Sequence, residues 1–221
     1  MIFIVLLILI KIEYANLTKN YSAYIDDIIE NTVAIEDIRL IRYYNQNVAL
    51  FPEPLATKLK ENEFCYKPRN LVSLSEYGRV YKLVWELFAK AIDSEVDFYI
   101  FDGSLFHHPI NDLIHNYNAN ELQIISHINT LVSSISSCNC VIYYLQTDNV
   151  STQLNKARIS RNQSILSDSE LLFWEIRKKI DLKVLKQIAI PNKIFDVSYE
   201  EWDCVVDNIV SQCINKDKKH I

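Results

Sequence analysis

Glycine is nearly missing from this 221-residue chain, which places it only at positions 78 and 103. A phosphate-binding loop of the form G-x-x-x-x-G-K-[ST] needs two glycines five residues apart, so that successive backbone amides can cradle phosphate oxygens. No such segment, even a relaxed one, can be drawn here. The abundance of Ile, Asn and Lys, whose codons can be written mostly with A and T, accounts for part of the scarcity. Cysteine is sparse and unpaired in pattern: Cys65, Cys138, Cys140, Cys204 and Cys213 are odd in number and form no C-x-x-C, which argues against a zinc ribbon and a complete disulfide framework. The "CNC" at 138–140 stands just before an apolar run and reads as structural thiols in a reducing compartment. Charge of one sign is scarce too. The net charge of -5 is interspersed, and the one basic cluster is "KDKK" near the C-terminus, so there is no basic face for a large nucleic-acid footprint.

A membrane-length apolar run is also missing. "MIFIVLLILIKIEY" carries its apolar stretch at 2–10, well short of the ~20 residues of a spanning helix, and its first charge, Lys11, follows the run instead of preceding it as in a secretory signal. The favoured reading is a buried parallel strand, with a cleaved or anchoring segment as the alternative. A cytoplasmic protein with no membrane contact is expected.

With 49% hydrophobic residues, the chain is long enough for one sizeable core, and a single domain over 1–221 is expected. Residues 21–44 are polar and helix-compatible, and the proline-bearing stretch at 51–70 reads as loop with one short helix. Tyr77, Val80, Tyr81, Val84, Leu87, Phe88 and Ala91 recur at three- and four-residue steps, predicting a helix over 74–92. It leads into "DFYIF" at 97–101, a strand candidate. A second periodic helix is predicted over 119–136, a strand at "CVIYYL" (140–145), helices over 151–164 and 169–187, a strand at "NKIFDV" and a closing helix from Trp202. There is no tight two-residue hairpin signal. Alternating strands and helices predict an α/β protein, a parallel sheet with helices on both faces.

Ligands of open parallel sheets bind beyond the carboxyl ends of the strands, which directs attention to Asp102, Gly103 and Ser104, to Gln146, Thr147 and Asp148, and to Asp196, Val197 and Ser198. Asp102 could hold Mg²⁺ through water or accept a proton from a substrate hydroxyl, or simply terminate its strand. Ser104 could bond phosphate or cap a turn, and it stands in no G-x-S-x-G elbow. His107 and His108 are adjacent, and His115 lies seven residues further on, a spacing that builds no helical metal pair, so these histidines read as surface or loop residues. Arg158 and Arg161, three apart on a predicted helix, suit either a phosphate clamp or a solvated face.

Taken together, "DFYIFDGSLFHHPINDLIHNYN", "CVIYYLQTDNVSTQLNKARISRN" and "IPNKIFDVSYEEWDCVVDNIV" resemble the later two thirds of P-loop nucleoside and nucleotide kinases, particularly thymidylate-kinase-like proteins, over roughly residues 75–213. The resemblance implies that Asp102 is the acid after a sheet strand, with catalytic and Mg²⁺-binding roles. It implies that Arg158 and Arg161 sit on a lid and that Asp196 and Ser198 form a loop near the adenine. It departs from the family in lacking the phosphate loop and in having Gly103 where many relatives place an arginine after the acid. The family's first strand, phosphate loop and first helix are therefore expected to be missing, as in a truncated or wrongly started chain.

Two functions follow as expectations. One is a degenerate or truncated kinase-like protein, ancestrally transferring phosphate from ATP to a nucleoside or similar hydroxyl compound, with Mg and ATP as cofactors where the cleft works and with little activity as written. The alternative is a non-catalytic interaction or scaffold module on the same fold, binding a partner subunit or another copy of itself. A histidine-based metal hydrolase using Asp102, His107 and His108 is a third, lesser reading.

Overall fold

The computed structural model describes residues 71–92, 98–199 and 201–217, the short strands at 32–35 and 38–41, and a few single positions between 23 and 57. The apolar run at 2–10 and Cys65 lie outside the described residues. The chain divides into two compact units, Met1–Cys138 and Asn139–Ile221. The described elements are mixed: helices, an antiparallel hairpin and a small parallel pair of strands.

In the first unit β1 (Thr32–Ile35) pairs antiparallel with β2 (Ile38–Ile41), Ile35 facing Ile38 across a two-residue connection. This corrects the helix-compatible reading of 21–44 over the hairpin itself; elsewhere in that span Ala23, Asp26 and Glu30 are described, each as helical. The hairpin escaped notice because its turn residue in the left-handed region is Glu36, at φ 50°, where glycine or asparagine would have announced it.

Helix α1 (Leu74–Lys90) starts where Ser73 Oγ accepts the Glu76 amide at 3.2 Å, and it buries Tyr77, Val80, Tyr81, Leu83, Val84 and Trp85 along one side. Helix α3 (Glu121–Ser134) starts on a reciprocal Asn120–Gln123 capping box and buries Ile124, Ile125, His127, Ile128, Leu131 and Val132. Between them lies a helix not anticipated from sequence, α2 (His107–Tyr117), which buries Ile110 and Leu113. No side chain caps it, and Pro109 sits in its first turn, where a missing N–H costs nothing. Together these three helices build the apolar core of the unit.

The stretch at 98–101 is not a sheet strand. It alternates like one, however: Tyr99 and Phe101 turn their rings against Phe88, at 5.3 and 4.9 Å between centroids, while Phe98 and Ile100 stay 42% and 55% exposed.

In the second unit β3 (Ile142–Gln146) runs parallel to β4 (Asn192–Asp196), with Ile142 beside Asn192 and Gln146 beside Asp196. The crossover holds α4 (Val150–Ser160) and α5 (Asp168–Leu185), and α6 (Trp202–Asp217) follows β4. Side chains of successive strand residues point to opposite faces. Tyr144 reaches Asp181 of α5 on one face; Tyr143 reaches Cys213, and Lys193 reaches Gln212, both of α6, on the other. Helices thus cover both faces of this parallel pair, as the α/β reading predicts for this part of the chain.

The buried face of α5 is Arg177, Asp181, Val184 and Leu185, so an ion pair occupies half of an otherwise apolar stripe. Among the described residues no helix is long and apolar enough to cross a membrane.

Candidate functional site

The carboxyl ends of β3 and β4 are joined by one serine. Past the last paired residues the ladder continues for one bond, from the Val197 amide to the Gln146 carbonyl at 2.8 Å. The Ser198 hydroxyl then donates to Asp196 Oδ1 and accepts the Asp148 amide at 2.8 Å, while the Ser198 amide donates to the same Asp196 oxygen at 2.8 Å. Gln153 on the first turn of α4 donates to the Ser198 carbonyl at 3.4 Å. From α5, Lys178 Nζ donates to the Thr147 carbonyl at 2.6 Å.

Electrostatics follow from these bonds. The two donations from Ser198 hold the Asp196 carboxyl below the usual carboxylate range, and the nearby Lys178 ammonium adds to the effect. Asp196 therefore carries its charge at neutral pH on an exposed edge, beside the start of α4. That helix is capped by Asn149, whose side chain accepts the Thr152 amide at 2.9 Å. The arrangement can present hydroxyl, carboxylate and backbone groups to a polar ligand. The Ser198 proton is held by the Asp196 carboxylate, which fixes the hydroxyl as an acceptor for the Asp148 amide.

Arg158 and Arg161 close the other end of α4. The Arg158 side chain donates to the Ser164 carbonyl, and Arg161 is the C-cap residue, its amide bonded to the Arg158 carbonyl at 3.0 Å. With the Asn155 side chain accepting the Leu166 amide at 2.9 Å, Arg158 shapes the turn into α5. Arg161 is exposed.

Asp102 and Ser104 belong to the first unit, on the turn that leads into α2. Asp102 is exposed, and its carbonyl accepts the Ser104 hydroxyl at 3.2 Å. Gly103 takes φ 65°, and its carbonyl accepts the amides of Phe106 and His108 at 3.3 and 2.9 Å. A Cβ there would stand 3.2 Å from both His107 Cβ and His108 Nε2, so glycine is favoured by its backbone angle and by tight histidine neighbours. Among the described residues, no three His, Cys, Asp or Glu side chains come together as ligands for a cation.

The structure thus pairs Asp196 with Ser198, Asp102 with Ser104, and Arg158 with Arg161. Lys178 and Gln153 were missed. Lys178 reaches a carbonyl 31 residues away, and no local pattern signals such a bond. Arg177 and Asp181 did carry a readable signal, the four-residue spacing of a helical ion pair.

The features described define a mixed helical protein with a parallel strand pair latched at its carboxyl end. No protein-family model, curated protein or solved structure matches the chain.

Proposed function

We propose that the chain is a nucleotide-binding protein on a framework like that of the P-loop nucleoside and nucleotide kinases, with little or no phosphoryl transfer of its own. The observation that carries this reading is the latch at the carboxyl ends of β3 and β4. Asp196 and Ser198 are tied there to Asp148 and, through Lys178, to α5, at the edge where open parallel sheets take their ligands. The base and ribose side of the nucleotide would rest on this edge, with Arg158 and Arg161 as candidate phosphate contacts.

The residues present do not fit a triphosphate and its metal. There is no G-x-x-x-x-G-K-[ST] in the sequence, and the described residues offer no cluster of cation ligands. Positioning and charge neutralisation at the phosphates supply most of the catalysis of phosphoryl transfer, and the sequence lacks the loop that provides them.

The test is calorimetric titration of the full chain with adenosine monophosphate and with adenosine. Saturable binding, weakened at least about tenfold in Ser198→Ala, is the expected result. No heat from either ligand up to about 1 mM sinks the reading. Radiolabelled phosphate transfer to a nucleoside, lost in Asp102→Asn, would overturn the claim of little activity.

A second reading, an interaction module, draws on the apolar side chains left in solvent. Leu122 is 76% exposed, Leu172 and Ile165 also stand out in water, and Phe98 and Ile100 form an extended apolar stretch outside any sheet. Sedimentation showing a monomer at micromolar concentration, with no binding of an apolar dye, would remove it.

A further inference from the structure

His127 is the titratable group that the nucleotide reading leaves unused. It sits on α3, is 9% exposed, and among the described residues its Nε2 has no hydrogen-bond partner. Its ring stacks on Tyr77 at 5.4 Å between centroids and meets Tyr81 edge-on at 6.1 Å, both from α1. Gly78 of α1 also borders the ring, and a Cβ there would stand in ordinary contact with it, 3.5 Å from Nδ1. From α2, Tyr117 packs on Tyr77 at 5.1 Å, and Asp112 accepts the Tyr77 hydroxyl at 2.9 Å. On α3 itself, residues 123–131 include no other titratable side chain. Among the described residues, the groups facing the imidazole are tyrosines, with one carboxylate beyond the Tyr77 ring.

We propose that His127 is an acid-sensitive wedge: proton uptake at its imidazole drives α1 and α3 apart under mildly acidic conditions that leave the second unit closed. The neutral ring fits an aromatic slot that offers Nε2 no acceptor. An imidazolium there would be a buried charge with an extra donor for which the described residues supply no acceptor.

Burial lowers the pKa of this histidine from 6.5 to about 4, and Asp112 does not offset it. The sign follows. Above pH 6.5 the ring is neutral whether folded or unfolded. As pH falls from 6.5 towards 4, the unfolded form takes up a proton that the folded form refuses, so stability is lost progressively, up to about 300-fold in the opening equilibrium. In the second unit the groups with shifted acid titrations are carboxylates. Glu170 and Asp196 are lowered by their serine partners, so their contribution is full above the ordinary carboxylate values and is lost as pH falls through those values towards the lowered folded ones. Asp181 is raised by burial and takes up its proton more readily when folded.

Hydrogen–deuterium exchange of the full chain between pH 7 and 4.5 tests the inference, with protection corrected for intrinsic exchange. Amides of α1 and α3 should lose protection on the order of 100-fold by pH 4.5, those of α5 should hold theirs, and His127→Phe should flatten the response of α1 and α3. Parallel losses in wild type and variant, or equal losses in both units, overturn the proposal. Should the variant fail to fold, proton resonance of the wild-type imidazole decides: a midpoint below 5 is expected, and a midpoint near 6.5 refutes it.

Discussion

In the first unit the Tyr77 hydroxyl donates to buried Asp112 at 2.9 Å among Tyr81, Tyr117 and His127; in the second, Tyr144 donates to buried Asp181 at 3.2 Å, and the same carboxylate holds the Arg177 guanidinium at 2.7 Å. Each unit removes a carboxylate from water, and each supplies a phenol. The described residues supply an aromatic and imidazole cluster beside Asp112 and an ion pair at Asp181. Burial raises the phenol pKa in both cases: Tyr77 well above 10, and Tyr144 likewise, with the neighbouring carboxylate adding to each. Both phenols stay protonated donors throughout the physiological range. What changes is the response to acid. Asp181 is raised because desolvation outweighs Arg177 and Tyr144, so lowering the pH through its raised value adds stability, the reverse of the effect of His127.

The comparison can be broken most forcefully at Arg177, which is 1% exposed. Arg177→Met strands Asp181 as a buried carboxylate without its cation, and the second unit should lose about 3–5 kcal/mol. Urea unfolding, with exchange read separately in β3 and β4, measures this, and the double variant with Asp181→Leu should recover most of it. A cost below about 1 kcal/mol for the single change would mean that the guanidinium is not what keeps this acid buried.

A middle-sized effect is expected at Tyr77. Tyr77→Phe withdraws a donor from Asp112, and the first unit should lose about 1–3 kcal/mol in urea unfolding with exchange read in α1 and α3. The smallest is expected at Tyr144. In Tyr144→Phe the Asp181 carboxylate keeps Arg177, so the loss should stay near 0.5–1.5 kcal/mol, roughly the value of one hydrogen bond. If Tyr144→Phe costs more than Tyr77→Phe, the ranking of the two environments is wrong.

Much of the second unit was legible from sequence. The apolar runs at "CVIYYL" and "NKIFDV" became β3 and β4 within two residues of the expected ends, and the helices between and after them followed. In the first unit the 3.6-residue rhythm of α1 and α3 was equally plain, while the hairpin and α2 were not. Their signals are weak for physical reasons: a glutamate in the left-handed turn position, and a helix that begins on His-His-Pro without a side-chain cap. The residues at 97–101 satisfied every local criterion for a strand, yet a strand is defined by its neighbours.

Polar residues at core positions were the other blind spot. His127 and Arg177 occupy buried faces of α3 and α5, and a sequence pattern assigns such side chains to the surface unless a partner is known. Of the candidate site, Asp196 and Ser198 were found because position after a strand is itself informative. Lys178 was not, because its partner is a backbone carbonyl brought near only by the fold.

The serine latch also bears on the order in which the molecule assembles. Ser198 and Asp148 are 50 residues apart in sequence, and the parallel pairing of β3 with β4 must wait until α4 and α5 have spanned the gap. Tyr77 and Asp112 are separated by 35, and the helices that carry them can form locally first. The nascent second unit therefore passes through a stage in which β3 is made but has no partner on the β4 side. During synthesis this interval lasts until the last strand has left the ribosome, and it is then that the chain most needs protection from sticking to its neighbours.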